Sequence, residues 1–173
     1  MSFSIHNETN TVYAPGWFLA NNEDCDRKTR QISAADARVK TVAGGGKYMP
    51  MGSIYPSNDG NAVGIVYEDV DVTTGDMPGS IVLRGTVYED RLAITGVDYQ
   101  SVTPASGDNP KEKGWYERSG SAGSYVYTLT DDTTVQDGTT YYEAVDVRMS
   151  AAAKTALEAL GFKFVTTPTV TRP

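Results

Sequence analysis

Short apolar runs broken by turn residues occupy the middle of the chain, and their spacing predicts strands. Extended runs over residues 47–55, 62–72 and 80–88 are separated by turn-rich stretches at 56–60 and 73–79, the punctuation of an all-β segment. In Val66-Tyr67-Glu68-Asp69-Val70-Asp71-Val72 a period of two puts Val66, Val70 and Val72 with Glu68 on one face and Tyr67, Asp69 and Asp71 on the other, which predicts one buried and one wet side.

Before this region, residues 1–42 show no sustained period of 2 or 3.6 and a single apolar island at Trp17-Phe18-Leu19. They read as an N-terminal arm. Within it, Ser33 as N-cap and Asp36 three places on predict a helical turn over 33–38. Gly44-Gly45-Gly46 then reads as a hinge between arm and core.

From about residue 96 the composition turns to Gly, Ser, Thr and Asp with aromatic pairs at Trp115-Tyr116 and Tyr141-Tyr142. Three short strands at 114–118, 124–129 and 139–143 make this an inserted β subdomain over 96–142, near the smallest strand number that is stable by itself. The clearest helix follows at 150–160, with Ser150 as N-cap, Ala153, Ala156, Leu157 and Leu160 on one stripe, and Gly161 past its end. Phe162-Lys163-Phe164-Val165 returns as a closing strand, and residues 167–173 form a loose tail. The fold expected is therefore mainly β: a small barrel-like or sandwich-like core over 43–95 and 143–166, with one short C-terminal helix, an arm and an insertion.

Charge narrows the partners. The 173-residue chain carries a net −7, so its field repels phosphate backbones and nucleic acid is not expected as a partner. No run approaches the roughly 20 apolar residues of a membrane span, and Met1-Ser2-Phe3-Ser4-Ile5-His6 lacks the basic and apolar regions of a signal peptide. A single cysteine, Cys25, forms no disulfide within the chain, which suits folding in a reducing cytoplasm.

Candidate chemistry is thin. Gly44-Gly45-Gly46-Lys47 falls short of a phosphate-binding loop, which needs Gly in place of Thr41 and Ser or Thr in place of Tyr48. Asp69-Val70-Asp71 lacks the calcium-loop glycine at Thr74 and the glutamate at Ser80. His6 is the only histidine, which leaves no His-based triad or multi-histidine metal site. Cys25 sits among Glu23, Asp24 and Asp26, which disfavour a thiolate. Asp131-Asp132 and Glu89-Asp90 are neighbours that point to opposite strand faces and cannot flank one glycosidic bond. No catalytic residue, metal or cofactor is expected. Trp115, Tyr116, Tyr125, Tyr127, Tyr141 and Tyr142 form either a stacking platform for a partner or glycan, or the small core of the insertion.

Met49-Pro50-Met51-Gly52-Ser53-Ile54, Gly60-Asn61-Ala62-Val63-Gly64-Ile65-Val66 and Gly85-Thr86-Val87-Tyr88-Glu89-Asp90-Arg91-Leu92, in that order, resemble the lambda-type phage head decoration proteins. Asp69-Val70-Asp71-Val72-Thr73-Thr74-Gly75 is similar to stretches of the related head fibre proteins. The resemblance covers about residues 47–95 and 145–166, and 109–142 resembles a small module that recurs in phage structural proteins. It implies a structural, non-enzymatic protein on the outer capsid surface of a virion. Its partner would be the major capsid protein, held through the arm with Trp17, Phe18 and Leu19 as anchor. Self-association is expected, as a trimer first and a monomer second, and removal of residues 1–42 is expected to leave the core folded. The alternatives are a fibre or adhesin subunit that binds host-surface glycan through Trp115, Tyr116, Tyr141 and Tyr142, and a tail or neck component.

Overall fold

Two neighbouring residues on one strand can each be fully buried only if both faces of their sheet are covered, and two strands here have that property. A computed structural model describes residues 14–168. In chain order the elements are β1 (Asp26–Ile32), β2 (Lys40–Thr41), β3 (Lys47–Met49), β4 (Ile54–Tyr55), β5 (Gly64–Val66), β6 (Val70–Asp71), β7 (Met77–Arg84) and β8 (Thr86–Tyr88). They continue with β9 (Gly96–Ser101), α1 (Pro110–Lys113), β10 (Tyr116–Ser119), β11 (Val126–Leu129), β12 (Tyr141–Val147), α2 (Ala151–Ala159) and β13 (Lys163–Val165). The protein is mainly β, built as several small sheets of which none closes into a barrel. The chain forms two compact units, Met1–Thr95 with Arg148–Pro173, and Gly96–Val147.

In the first unit a central antiparallel sheet runs β1-β7-β5-β4. Ile65 and Val82 face one apolar cluster while their neighbours Val66 and Ile81 face another, as alternation along a strand requires. The first cluster adds Phe18, Leu19, Ile54, Val87, Leu92, Phe162 and, from α2, Ala153 and Leu157. The second adds Ile32, Met49, Val70 and Val72, and is covered by the sheet β2-β3-β6. The arrangement is sandwich-like, with the central sheet as its filling.

Each of the three extended runs read from the sequence divides into two strands of different sheets. Residues 47–55 give β3 and β4, 62–72 give β5 and β6, and 80–88 give β7 and β8. Such corners let a strand leave one layer and enter the next. At the first corner Gly52 has φ +82, and a Cβ there would meet the Ala93 nitrogen at 2.8 Å, so only glycine fits. At the second, the Asp69 carboxylate accepts from the Met51 N–H at 2.7 Å and is half-buried rather than wet. Val66, Val70 and Val72 do share one cluster, across the break.

The arm is not an arm over its described part. β1 pairs with β7 from end to end, and Phe18, Leu19 and Ile32 are buried. Residues 1–13 lie outside the described residues. Instead of a helical turn, 33–38 make two successive turns, with Ser33 Oγ accepting from the Ala35 N–H and Asp36 from the Arg38 N–H. These short side chains satisfy the backbone locally and compete with helix. The Arg38 guanidinium binds Asp36 and the carbonyls of Ile54 and Pro56. Gly44-Gly45-Gly46 is the turn of the β2–β3 hairpin, closed by the Val42 N–H on the Gly46 carbonyl, not a hinge.

α2 forms as the caps direct: Ser150 Oγ accepts from the Ala153 N–H at 3.0 Å, and Gly161 takes φ +95. Leu160 of its expected apolar stripe is 48% exposed. β13 runs parallel to β8, and the near tail is tied down: the Thr167 N–H donates to Asp90 and its Oγ1 accepts from Arg91.

The second unit is a four-stranded antiparallel sheet in the order β11-β10-β12-β9. Its boundary falls at Val147 instead of 142, because β12 runs on through Val147 to pair with all of β9. The two ends of the unit, Gly96 and Val147, are register partners. The short helix α1 was missed in the sequence although its signals are present: Asn109 caps the Glu112 N–H, Pro110 opens the helix and Gly114 closes it at φ +67.

Candidate functional site

The residues expected to grip a partner separate on folding. Around Trp17-Phe18-Leu19 the Gly16 N–H donates to the Tyr67 carbonyl, the Tyr88 N–H to the Phe18 carbonyl, and the Ala20 N–H to the Thr86 carbonyl. These bonds lay 18–20 along β8, with Leu19 bridged to Val87. Phe18 is fully buried and Leu19 nearly so, so neither is a capsid anchor; they are core because the segment adds to a sheet. Trp17 alone offers a surface, at 41% exposure. The Arg91 guanidinium lies over the Trp17 ring at 4.1 Å and over the Tyr88 ring at 4.3 Å, and donates to the Trp17 carbonyl and to Thr167 Oγ1. Arg91 thus holds the described start and end of the first unit together.

The aromatic platform of the second unit divides between two faces. Register places Tyr116, Tyr142, Tyr127 and Tyr99 on one face and Tyr141 on the other. The sheet curls so far that Tyr99 and Tyr127, from its two edge strands, stack at 4.0 Å with planes 3° apart. Tyr116 meets Tyr99 edge-on at 5.0 Å and Tyr142 meets Tyr127 at 5.2 Å. On the opposite face Trp115 packs against Tyr141 at 5.8 Å, with the buried Thr130 bonded to Glu117 on the same side. Trp115, Tyr141 and Tyr142 are buried, so three of the four residues proposed to meet a glycan are core. Tyr99 belongs to the cluster and went unnoticed, because a lone tyrosine between Asp98 and Gln100 carries no aromatic-pair signal. Tyr125 stays 42% exposed, with Arg118 over its ring at 4.3 Å.

The carboxylates that invite a chemical reading are all engaged in structural bonds. Glu89 pairs with Lys154 at 2.7 Å, Asp131 with Lys111 at 2.9 Å, and Asp132 accepts from the Tyr141 hydroxyl. Hydrogen bonds from the Thr73 side chain and, after it, the Thr73 N–H hold the Asp71 carboxyl below the usual range. The Cys25 thiol donates to the Asn22 carbonyl at 3.3 Å. Among the described residues no three His, Cys, Asp or Glu side chains come together as a metal site, and no helix is long and apolar enough to cross a membrane.

Asp69 and Asp36 titrate in opposite senses. Burial pushes the Asp69 carboxyl up against the lowering effects of the Met51 N–H and Lys40, so the protein gains stability as pH falls through that raised pKa toward the unfolded value. The Arg38 hydrogen bond holds Asp36 down, so its contribution is present above the ordinary aspartate pKa and is lost as pH falls through the lowered one. Asp69→Asn keeps an acceptor for Met51 and removes the disfavoured charge. In thermal melts it should unfold at higher temperature than the parent at pH 7, with the gain vanishing toward pH 4; an equal gain at both pH values would refute the assignment.

Two of the exposed sheet edges among the described residues are of opposite character. β1, the edge of the central sheet, presents Arg27, Lys28 and Arg30, all exposed. β11, an edge of the second sheet, lies in a run from 119 to 130 without one charged residue, and Val126 and Leu129 are each 58% exposed. Comparison with known proteins finds no match to a family model, to a curated protein or to a solved structure.

Proposed function

We propose that this protein is a structural component of a tailed-phage head, a decoration protein that binds the outer face of the major capsid protein lattice and stabilises the expanded shell. The observation that carries the reading is where the family-like stretches go in the fold. Ile54, Ile65, Val87 and Leu92 from 47–95 and Ala153, Leu157 and Phe162 from the C-terminal stretch meet in one apolar cluster, although the second unit separates them in sequence. The resemblance thus follows one packed body and not scattered matches.

Such a body acts by binding. Each contact with the lattice is weak, but many symmetric sites and neighbouring copies raise the effective affinity. A ligand that binds only the expanded shell stabilises it by mass action. The stack of exposed Trp17 with half-buried Arg91 and Tyr88, together with residues 1–13, supplies the lattice contact in this reading.

Antibody against the chain should label the heads of particles whose genome encodes it, and purified protein should co-sediment with expanded heads but not with unexpanded ones. Label confined to the tail or neck, or equal binding to both head forms, would overturn the assignment. A variant without residues 1–13 keeps every contact described above, and it should lose head binding. Replacement of 96–147 by a short Gly-Ser linker should spare it, since Gly96 and Val147 are already neighbours.

A further inference from the structure

We infer that the β11 edge is a contact between copies of this chain: two copies pair β11 with β11, antiparallel, about a two-fold axis normal to the sheet. The inference goes beyond head binding and does not depend on it.

An edge strand presents unpaired N–H and C=O groups, and natural proteins guard such edges with charge. The chain does this at β1, where Arg27, Lys28 and Arg30 line the seven-residue edge. At β11 it does not. Tyr125-Val126-Tyr127-Thr128-Leu129-Thr130 combines β-branched and aromatic residues with no charge, and the apolar Val126 and Leu129 are both well exposed. β10 occupies one side of β11, and no other described strand pairs with the opposite side.

Charge selects the occupant. A chain with a net −7 repels its own copies across most of its surface, so a homotypic contact falls where charge is missing, and 119–130 is such a place. A two-fold pairing also sets like residues near one another. At β1 this would place Lys28 and Arg30 against their own kind, which is destabilising. At β11 it sets Thr, Tyr, Val and Leu together, in cross-strand pairs that are favourable. A two-fold normal to the sheet needs a residue on the axis; with Thr128 there, Tyr127 lies beside Leu129 of the second copy on one face. The contact is small beside the roughly 1,200 Å² or more of stable complexes, so it is weak in solution and gains strength where copies are held close together.

Sedimentation equilibrium of the full chain tests this. The mass should double as concentration rises from about 1 µM to about 1 mM, the range open to so small an interface, whatever the oligomer at the lower end. Val126→Lys, and separately Leu129→Lys, should hold the mass at its low-concentration value across that range. Both positions are exposed, so the circular dichroism spectrum should not change; if one variant misfolds, the other decides. A parent whose mass is independent of concentration overturns the proposal and leaves the edge to a foreign strand. Doubling that persists in both lysine variants overturns it as well, by locating the contact elsewhere.

Discussion

Removal of residues 1–42 should unfold the first unit instead of releasing a folded core. The deletion takes away β1, the outer strand of the central sheet, together with Phe18 from one apolar cluster and Ile32 from the other. It also exposes the edge of β7, where Ile81 and Val82 are fully buried. Truncation of a single buried Phe to Ala costs about 3–5 kcal/mol through lost transfer energy and the cavity left behind. A whole domain is stable by only about 5–15 kcal/mol, so Phe18→Ala alone should lower the melting temperature by well over 10 °C for a unit of this size, at roughly 4 °C or more per kcal/mol. The deletion, which removes Phe18, Ile32 and a full strand, should abolish the cooperative transition of that unit. Near-ultraviolet circular dichroism and calorimetry of residues 43–173 check it. A native spectrum and an intact melt would show that 14–42 is an appendage after all, and that the burial of Phe18 is dispensable.

Why the sequence points the other way there is a matter of physics. In β1, Asp26-Arg27-Lys28-Thr29-Arg30-Gln31 are all exposed and only Ile32 is buried, so no apolar alternation announces a strand whose order comes from backbone pairing with β7. Phe18 and Leu19 read as an isolated island because their partners, Val87, Leu92 and Phe162, lie far along the chain. The runs after Lys47 were legible as strands for the converse reason: both faces of the central sheet are covered at Ile65-Val66 and Ile81-Val82, so β-branched apolar residues stand side by side there between turn residues. Which sheet each half of a run joins is set at corners such as Gly52 and Asp69, by contacts with Ala93 and Met51 that local periodicity does not encode. α2 was legible because its determinants are local, a Ser cap and a Gly stop. The aromatic residues were legible as a group. Their division into two faces follows from the register of β10, β11 and β12 and from the curl that brings Tyr99 onto Tyr127.

The second large effect should be confined to the second unit. Tyr141 is fully buried, packs on Trp115, donates its hydroxyl proton to the Asp132 carboxylate and accepts from the Gln136 N–H at 3.1 Å. Loss of that ring costs about 3–5 kcal/mol, and a single core in a chain segment this short rarely supplies more than about 3–5 kcal/mol in total. Tyr141→Ala should therefore unfold Gly96–Val147. The first unit should survive, because closing a long disordered loop costs entropy that grows only slowly with its length. Its junction residues are also held together locally: Asn58 donates to Thr95 Oγ1 and the Arg148 carbonyl, and accepts from the Ser150 N–H and hydroxyl. The chain's two tryptophans report separately, Trp17 on the first unit and Trp115, 7% exposed, on the second. With Trp17 replaced by Phe, Tyr141→Ala should shift the remaining emission to that of water-exposed indole. With Trp115 replaced by Phe, the same change should leave the emission of Trp17 and its melting transition within a few degrees of the parent. Tyr141→Phe keeps the packing and loses only the two hydroxyl bonds, so it should cost about 1–3 kcal/mol and lower the transition of the second unit without abolishing it. If Tyr141→Ala melted both tryptophan environments together, the two units would be one cooperative body, and the separate excision of 96–147 would fail with it.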